Sequence, residues 1–272
     1  MQPRSAVVLL MALAFAATSC SRLTFIKPSG KRKGPQESAR TYEVSDSPAV
    51  KQRLASQDRL ARATQRLRGG DLVAAEAEAK AVLKTTPGSA DAHTLLAVIY
   101  DRRGDKALAG THYRKSAELA PTQGGALNNY GAWLCQNGLA AESLVWLDRA
   151  AAAPGYSTPA SALANAGGCA LKTGQYARAQ RDLRLALELD PGNAFALASM
   201  AESEFRQNRY FEARAFSERR LAAAPATADV LQLAAAIEEK LGDQRAASRY
   251  SQRLQAEFPD ASPAGPRDQG RP

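Results

Sequence analysis

The sequence predicts an all-α fold of about six stacked helix pairs, and three regular spacings support this prediction. A turn residue recurs at intervals of 34, 34, 36, 34 and 34 residues. A proline and a small residue follow nearly the same period, and a fixed period of this length is the signature of a repeat architecture. The turn residues are Gly70, Gly104, Gly138, Gly174, Asn208 and Gly242.

Each recurring residue has a structural reason within a pair of helices. Glycine, or asparagine in the left-handed region, ends the first helix without a steric clash at Cβ. Proline cannot continue the second helix and therefore ends it. An alanine five residues after the turn lets two helix backbones approach closely, and Ser143 takes that place in the third unit. The prolines are Pro87, Pro121, Pro191, Pro225 and Pro259, and the alanines are Ala75, Ala109, Ala179, Ala213 and Ala247.

This is the tetratricopeptide repeat (TPR) pattern, and the stretch GQYARAQRDLRLALELDPGN from Gly174 to Asn193 shows it most fully. One helix pair cannot bury its apolar face alone, so the units must stack into a superhelix. The TPR domain is predicted over residues 56–260, and two extra residues of the third unit are placed in a loop near Pro154 to Pro159. The first unit opens on the charged segment SQDRLARATQRLRGGD, which is typical of a capping unit. The units are about 56–89, 90–123, 124–159, 160–193, 194–227 and 228–260.

The first helix of each unit is expected to line a concave groove, where such repeats bind peptides or protein surfaces. Asn129 and Asn165 lie where some TPR proteins place an asparagine that grips a C-terminal carboxylate. Thr94 stands in place of the lysine that this clamp needs, so no clamp is predicted. Ala164 and Gly168 are expected on the same face. The groove candidates are Thr94, Asn128, Asn129, Gln136, Asn165, Lys172, Phe195, Glu202, Phe205 and Arg206.

The first nineteen residues have the features of a lipoprotein signal peptide. Arg4 precedes twelve apolar residues at 6–17, a run too short to span a bilayer. Three small residues then lead to Cys20, and this order resembles the bacterial lipobox, in which the cysteine is lipidated and becomes the first mature residue. Two or more acyl chains anchor a protein stably. Ser21 in place of aspartate favours the periplasmic face of the outer membrane of a Gram-negative bacterium. The alternative is a secreted protein cut near residue 17, with Cys20 unmodified.

Residues 20–55 are interpreted as the lipidated N-terminus and a flexible tether, because they lack a sustained helical or strand period. The basic run Lys31-Arg-Lys33 within them either stays solvated or attracts phosphates and anionic lipid. Without residues 1–19 the formal charge falls by one arginine, from +9 to +8, which is a modest excess. No part of the chain resembles a nucleic-acid-binding fold. Residues 261–272 are expected to form a disordered tail.

The sequence shows no motif of an enzyme or of a metal site. Its two histidines, His93 and His112, are nineteen residues apart on different predicted helices. The zinc-protease, phosphate-loop and nucleophile-elbow motifs are missing, and so few histidines and cysteines make a metal site improbable. The chain is therefore predicted to be a binding protein without a small-molecule substrate, and without a cofactor apart from lipid on Cys20. The charged residues from Arg206 to Arg220 are interpreted as a solvated face.

Cys135 and Cys169 lie in the first helices of the third and fourth units, 34 residues apart. These helices are neighbours in a TPR stack, and the periplasm is oxidising, so a disulfide can persist there. The other interpretation is two free cysteines that act as small core residues. The sequence leaves both open.

Three motifs lie between Gly125 and Pro191, and the third unit adds a Pro-Gly-Tyr insertion. The motifs are Asn128-Asn-Tyr-Gly131, Trp133-Leu-Cys135 and Asn165-Ala-Gly-Gly-Cys169. Together with the lipobox they resemble the type IV pilus biogenesis and stability lipoproteins, the pilotins of the pilus secretin. Tyr130, Trp133 and Trp146 are expected in the repeat core.

The resemblance implies a lipid-anchored protein on the periplasmic face of the outer membrane. Such a protein binds secretin subunits, promotes their outer-membrane localisation and multimerisation, and catalyses no reaction. Two alternatives stay open from the sequence. One is a TPR lipoprotein of outer-membrane protein assembly, and the other is an envelope scaffold that binds peptidoglycan or its synthases.

Overall fold

A computed structural model describes residues 46–261, and within this range it contains twelve α-helices, one 3₁₀ helix at Pro259–Ala261 and no strand. The helices form six antiparallel pairs, so the predicted all-α repeat fold is confirmed. We call the first helix of each pair the leading helix and the second the trailing helix. They are α1 (Pro48–Arg68), α2 (Leu72–Thr85), α3 (Ala90–Arg102), α4 (Lys106–Leu119), α5 (Gly124–Gln136), α6 (Ala140–Ala151), α7 (Pro159–Lys172), α8 (Tyr176–Leu189), α9 (Ala194–Arg206), α10 (Tyr210–Ala223), α11 (Ala228–Leu241) and α12 (Gln244–Glu257).

The turns inside the pairs have the predicted backbone geometry. All five turn glycines have φ between 73° and 82°, and Asn208 takes the same left-handed region with φ of 60°. The small residue five positions later is buried in every unit, including Ser143 in the third. Trailing helices end two residues before the repeated proline, for example Thr85 before Pro87. The period therefore sets both ends of each helix pair.

Side-chain caps begin half of the helices between residues 46 and 261. An aspartate, serine or asparagine at the N-cap accepts a hydrogen bond from the backbone N–H three residues on, which satisfies a donor that has no partner inside the helix. Ser89 accepts from Ala92 N, and Asn193 accepts from Ala196 N. The capping residues are Ser47, Asp71, Ser89, Asp105, Asn193 and Asp243.

The buried apolar residues form several clusters, and the largest of those described lies mainly in units two and three. Tyr130 is fully buried there, and Trp133 and Trp146 pack against the same cluster from partly buried positions, as predicted. The Tyr130 hydroxyl accepts a hydrogen bond from Arg114 and donates one to Glu142, so its polar end is satisfied. A tyrosine can be buried in this way because its hydroxyl group has hydrogen-bond partners within the protein.

The first unit begins earlier than the sequence analysis predicted. Helix α1 starts at Pro48, so residues 48–55 belong to the folded domain and not to the tether. Ser47 accepts from Val50 N, and the Gln52 side chain donates to the Thr85 carbonyl, which ties this first part of α1 to the end of α2. The sequence signal was a serine followed by proline, the usual start of a helix.

The third unit carries its extra residues in the loop at 152–158, between α6 and α7, where the sequence analysis placed them. Gly155 takes a φ of 70° in this loop. The proposed signal peptide, Cys20, most of the tether and residues 262–272 lie outside the described residues. Within the described range no helix combines the length and apolar character needed to cross a membrane.

The face from Arg206 to Arg220 is not a simple solvated surface, which corrects the expectation. Arg209 and Arg214 form ion pairs with Glu204 and Glu238, whose side chains are only 4% and 5% exposed. Arg220 is buried and donates to the carbonyls beyond the end of α10. Trailing helix α10 packs between two leading helices that carry these acids, and sequence charge alone does not show this.

The joint between units one and two contains a strongly acidic glutamate. Glu76 accepts hydrogen bonds from Lys80 at 2.6 Å and from the Tyr100 hydroxyl at 2.9 Å, and it also pairs with Arg103. These partners, the Lys80 hydrogen bond first, lower the pKa of Glu76 to about 2. Since the unfolded value is 4.5, the ionised carboxylate stabilises the fold above that pH, and this contribution is lost as pH falls toward 2.

We therefore expect Glu76→Gln to lower the free energy of unfolding at pH 7, by an amount that shrinks steadily between pH 5 and pH 2. Urea unfolding followed by circular dichroism at a series of pH values measures this difference. Glu239→Gln, on an exposed glutamate of α11, is the matched control and should show little change. A deficit of Glu76→Gln that stays constant down to pH 2 would contradict the assignment.

Candidate protein-binding groove

The clearest binding surface lies between the leading helices of units five and six. Helices α9 and α11 enclose an open cleft of about 550 Å³, which we call the α9–α11 groove. Four of the predicted groove residues, Phe195, Glu202, Phe205 and Arg206, line it together. The other lining residues are Ala198, Ser199, Asp229, Val230, Gln232, Leu233 and Ala236.

The groove begins at unit four because Phe195 reaches back to α7. A Cβ atom on Gly168 would lie 2.8 Å from the Phe195 ring, so the ring rests directly on the glycine. Phe195 is nevertheless 51% exposed, and it presents its other face to the cleft. Ala164 and Gly168, which were expected on the groove face, are instead buried. These two residues are buried because α9 packs closely against α7, and the repeat pattern does not show how closely neighbouring leading helices approach.

Charge in the α9–α11 groove is mixed. Glu202 and Arg206 form an ion pair one turn apart on α9, and both side chains are 44% exposed. Asp229, at the start of α11, accepts a hydrogen bond from the Thr227 hydroxyl. A floor of phenylalanine, valine and leucine with a few polar groups at the rim suits a polypeptide with apolar side chains.

The polar candidates of units two to four are mostly bonded within the protein. The Thr94 hydroxyl lies 2.7 Å from the hydroxyl of buried Ser116. Thr94 is therefore hydrogen-bonded to the trailing helix of its own unit. Asn165 donates to the Asn128 side-chain carbonyl at 2.9 Å, which links α5 to α7. Asn129 is half-buried beside them. The two bonded asparagines serve as a joint between units, and nothing in this geometry forms a carboxylate clamp.

A disulfide joins the same two helices. Cys135 on α5 and Cys169 on α7 are bonded, with their Cα atoms 5.8 Å apart. Cys169 is buried, whereas Cys135 is partly exposed at the end of its helix. Gln136 and Lys172, the remaining predicted groove residues, are exposed at the ends of α5 and α7. They lie outside the α9–α11 groove.

A second cavity of about 420 Å³ is lined mainly by α4. At one side His93 and His112 approach each other with their Nδ1 atoms 2.8 Å apart, and burial lowers the pKa of both imidazoles. Both rings are then neutral near pH 7, so one Nδ1–H can donate to the other. The hydrogen bond between His93 and His112 joins α3 to α4. Among residues 46–261 no cluster of three or more metal-ligating side chains occurs.

The contribution of unit six to the groove was not predicted from the sequence. Asp229, Gln232 and Ala236 all line it, and each is 34 residues after a residue of α9 that also does. The same register that selected Phe195 therefore pointed to Asp229. No aromatic or charged pattern in α11 singled these residues out, because their importance comes from facing α9.

Known proteins share the repeat fold of this chain. The tetratricopeptide repeat family model matches residues 90–123 and 160–193, which are the predicted second and fourth units. The crystal structure of PilW, described as a widely conserved type IV pilus biogenesis factor, has a TM-score of 0.69 and 30% sequence identity to this chain. The match covers 75% of this chain and 94% of PilW. The chain belongs to the PilW family of TPR proteins.

Two further similarities concern the type IV pilus assembly protein PilF of Pseudomonas aeruginosa. Its sequence is 25% identical to this PilW-family chain over 193 residues, which are 71% of this chain and 77% of PilF. A solved structure of Pseudomonas aeruginosa PilF has a TM-score of 0.69 and 23% identity, and it covers 77% of this chain and 95% of that one. At that identity the structural match supports the fold. The PilW-family protein described here is thus a TPR protein related to type IV pilus assembly proteins.

Proposed function

We propose that this protein is an outer-membrane lipoprotein that binds secretin subunits and promotes their outer-membrane localisation and multimerisation in type IV pilus biogenesis. The observation that carries the proposal is the 30% identity to PilW, a type IV pilus biogenesis factor, over 94% of that chain. The resemblance of the asparagine, tyrosine and cysteine motifs to the pilotin lipoproteins adds the secretin as the partner.

The α9–α11 groove supports a role in binding. Its aromatic floor offers Phe195 and Phe205 to an apolar side chain, and the Glu202–Arg206 pair and Asp229 offer hydrogen bonds at the rim. Stacked repeats present such a surface on rigid helices, so a partner segment meets a preformed site. We assign the secretin segment to this groove.

In this proposal, lipid on Cys20 anchors the protein to the outer membrane. A lipidated N-terminus separated from helix α1 by about 27 residues would hold the repeats near the membrane and within reach of a subunit. The thiol would carry a diacylglycerol, and the new amine would carry a further acyl chain. Incorporation of labelled palmitate into the mature protein, and its loss in Cys20→Ser, tests this step.

The groove is tested by the double variant Phe195→Ser/Phe205→Ser in the native host. We expect heat-resistant secretin multimers and twitching motility to fall as far as in a strain that lacks the protein. Phe211→Ser is the matched control, because Phe211 is 74% exposed on α10 and lies outside the groove. Thermal unfolding of the purified variants shows whether the fold is retained.

Normal secretin multimers and normal pili in the strain without the protein would reject the proposal. A general loss of outer-membrane proteins in that strain would favour the assembly alternative. Altered cell-wall composition with intact pili would favour the envelope scaffold.

A further inference from the structure

The described part of the chain ends at Ala261, which lies at the rim of the α9–α11 groove. The Gln232 side chain, which lines the groove, donates a hydrogen bond to the Ala261 carbonyl at 3.2 Å. By the 34-residue register, Ser262 occupies the position at which a seventh leading helix would begin. Leading helices line the groove, so the segment after Ala261 is attached on the groove side of the fold.

Helix α12 offers no apolar stripe on the side where a seventh helix would pack. The side of α12 that corresponds to the packing face of earlier trailing helices is polar and exposed. Without an apolar stripe to cover, a following helix would gain little by packing there. The exposed polar residues are Ser248, Ser251, Gln252 and Gln255.

The sequence that follows, SPAGPRDQGRP at 262–272, has a composition that opposes a helix, with three prolines and two glycines. Pro263-Ala-Gly-Pro266 is a P-x-x-P pattern followed by Arg267. Such segments favour the polyproline II conformation and bind grooves lined by aromatic rings. Two arginines against one aspartate leave the segment with a net charge of +1.

The α9–α11 groove matches this chemistry. It presents the rings of Phe195 and Phe205, and Asp229 at its rim forms no ion pair with any residue between 46 and 261. Eleven residues in a polyproline II conformation extend about 34 Å, and the thirteen residues of α9 extend about 20 Å. The segment is therefore long enough to reach every part of the groove from Ala261.

We propose that residues 262–272 bind in the α9–α11 groove of the same chain, with the prolines against the phenylalanine rings and an arginine near Asp229. This inference rests on the proposed function, because it makes the segment an intramolecular competitor of the secretin. A tethered segment of this length has an effective concentration of the order of millimolar. A partner must displace it, so weakly matching polypeptides are excluded from the groove.

The test uses a fluorescein-labelled peptide of residues 262–272 and two full-length proteins. One is the native chain, and in the other residues 262–272 are replaced by eleven glycines and serines. We expect the peptide to bind the replaced chain in fluorescence anisotropy and to bind the native chain about ten-fold more weakly, because the native segment occupies the groove.

In the replaced chain, Phe205→Ser should abolish peptide binding, while Phe211→Ser should retain it. A peptide with Pro263→Ala and Pro266→Ala should also bind more weakly, and this measurement involves no change in the folded protein. Equal affinity of the native and replaced chains, or no binding to the replaced chain, would overturn the inference. So would unchanged binding of the peptide without the two prolines.

These measurements contain no secretin, so the two proposals fail separately. If the peptide binds as expected while groove variants leave secretin multimers intact, only the proposed function is rejected. If groove variants abolish the multimers and the peptide does not bind, only this inference is rejected.

Discussion

Removing the disulfide with Cys135→Ala/Cys169→Ala should lower the free energy of unfolding by about 3–4 kcal/mol. The bridge closes a loop of 34 residues, so it restricts the unfolded chain considerably. It also joins α5 to α7, two leading helices of neighbouring units, and so resists their separation. Alanine is preferred to serine because Cys169 is 1% exposed and a hydroxyl there would need a partner.

Urea unfolding of the native and variant proteins measures this loss. Reduction of the native protein should produce the same decrease as the double variant, whereas Cys20→Ser should leave the midpoint unchanged. Mass spectrometry after alkylation, with and without reduction, reports whether the bridge is present before unfolding. An unchanged midpoint in the double variant, in a protein shown to be oxidised, would contradict the assigned role.

Adding one methyl group at Gly167 should destabilise the protein by about 2 kcal/mol. A Cβ atom there would lie 2.5 Å from Leu183 Cγ and 3.1 Å from the Ala179 carbonyl oxygen. The carbonyl belongs to the backbone of α8, so the helices of unit four must move apart to accommodate Gly167→Ala. Ala179 is the repeated small residue, and this close approach is the reason for it.

Gly125→Ala is the matched control for this substitution. Gly125 lies near the start of α5, and a Cβ atom there would meet no atom within 4 Å. Alanine restricts the unfolded chain and favours the helix, so we expect a gain of up to about 1 kcal/mol. Thermal and urea unfolding of the two variants should thus shift in opposite directions. A neutral Gly167→Ala would show that the two helices of unit four repack without cost.

Local features of the fold were predictable because each depends on residues within one repeat. The turn at Asn208 was placed by its register alone, and its φ of 60° confirms the place. The helix at Pro48 was missed because the period has no partner before the first unit. Buried carboxylates such as Glu204 and Glu238 were also missed, since they pair with Arg209 and Arg214 at the start of α10, and the sequence does not show that this helix packs against both leading helices.

The groove was partly predictable for the same reason. Phe195 and Phe205 were selected by their position in the repeat, and both line the α9–α11 groove. Thr94, Asn128 and Asn165 occupied comparable positions, yet they bond to other side chains of the protein. The sequence register shows which face a residue occupies, but the distance to the neighbouring unit decides whether that face is open.

The sequence by itself determined the all-α class, the number of helix pairs, the turn inside each pair and the face that lines the groove. These depend on short-range periodicity and on the backbone preferences of glycine, alanine and proline. Only the tertiary structure decided where the groove opens, which charges are buried and how α5 and α7 are joined. Those features depend on how closely neighbouring units pack, and that spacing results from all the contacts between them together.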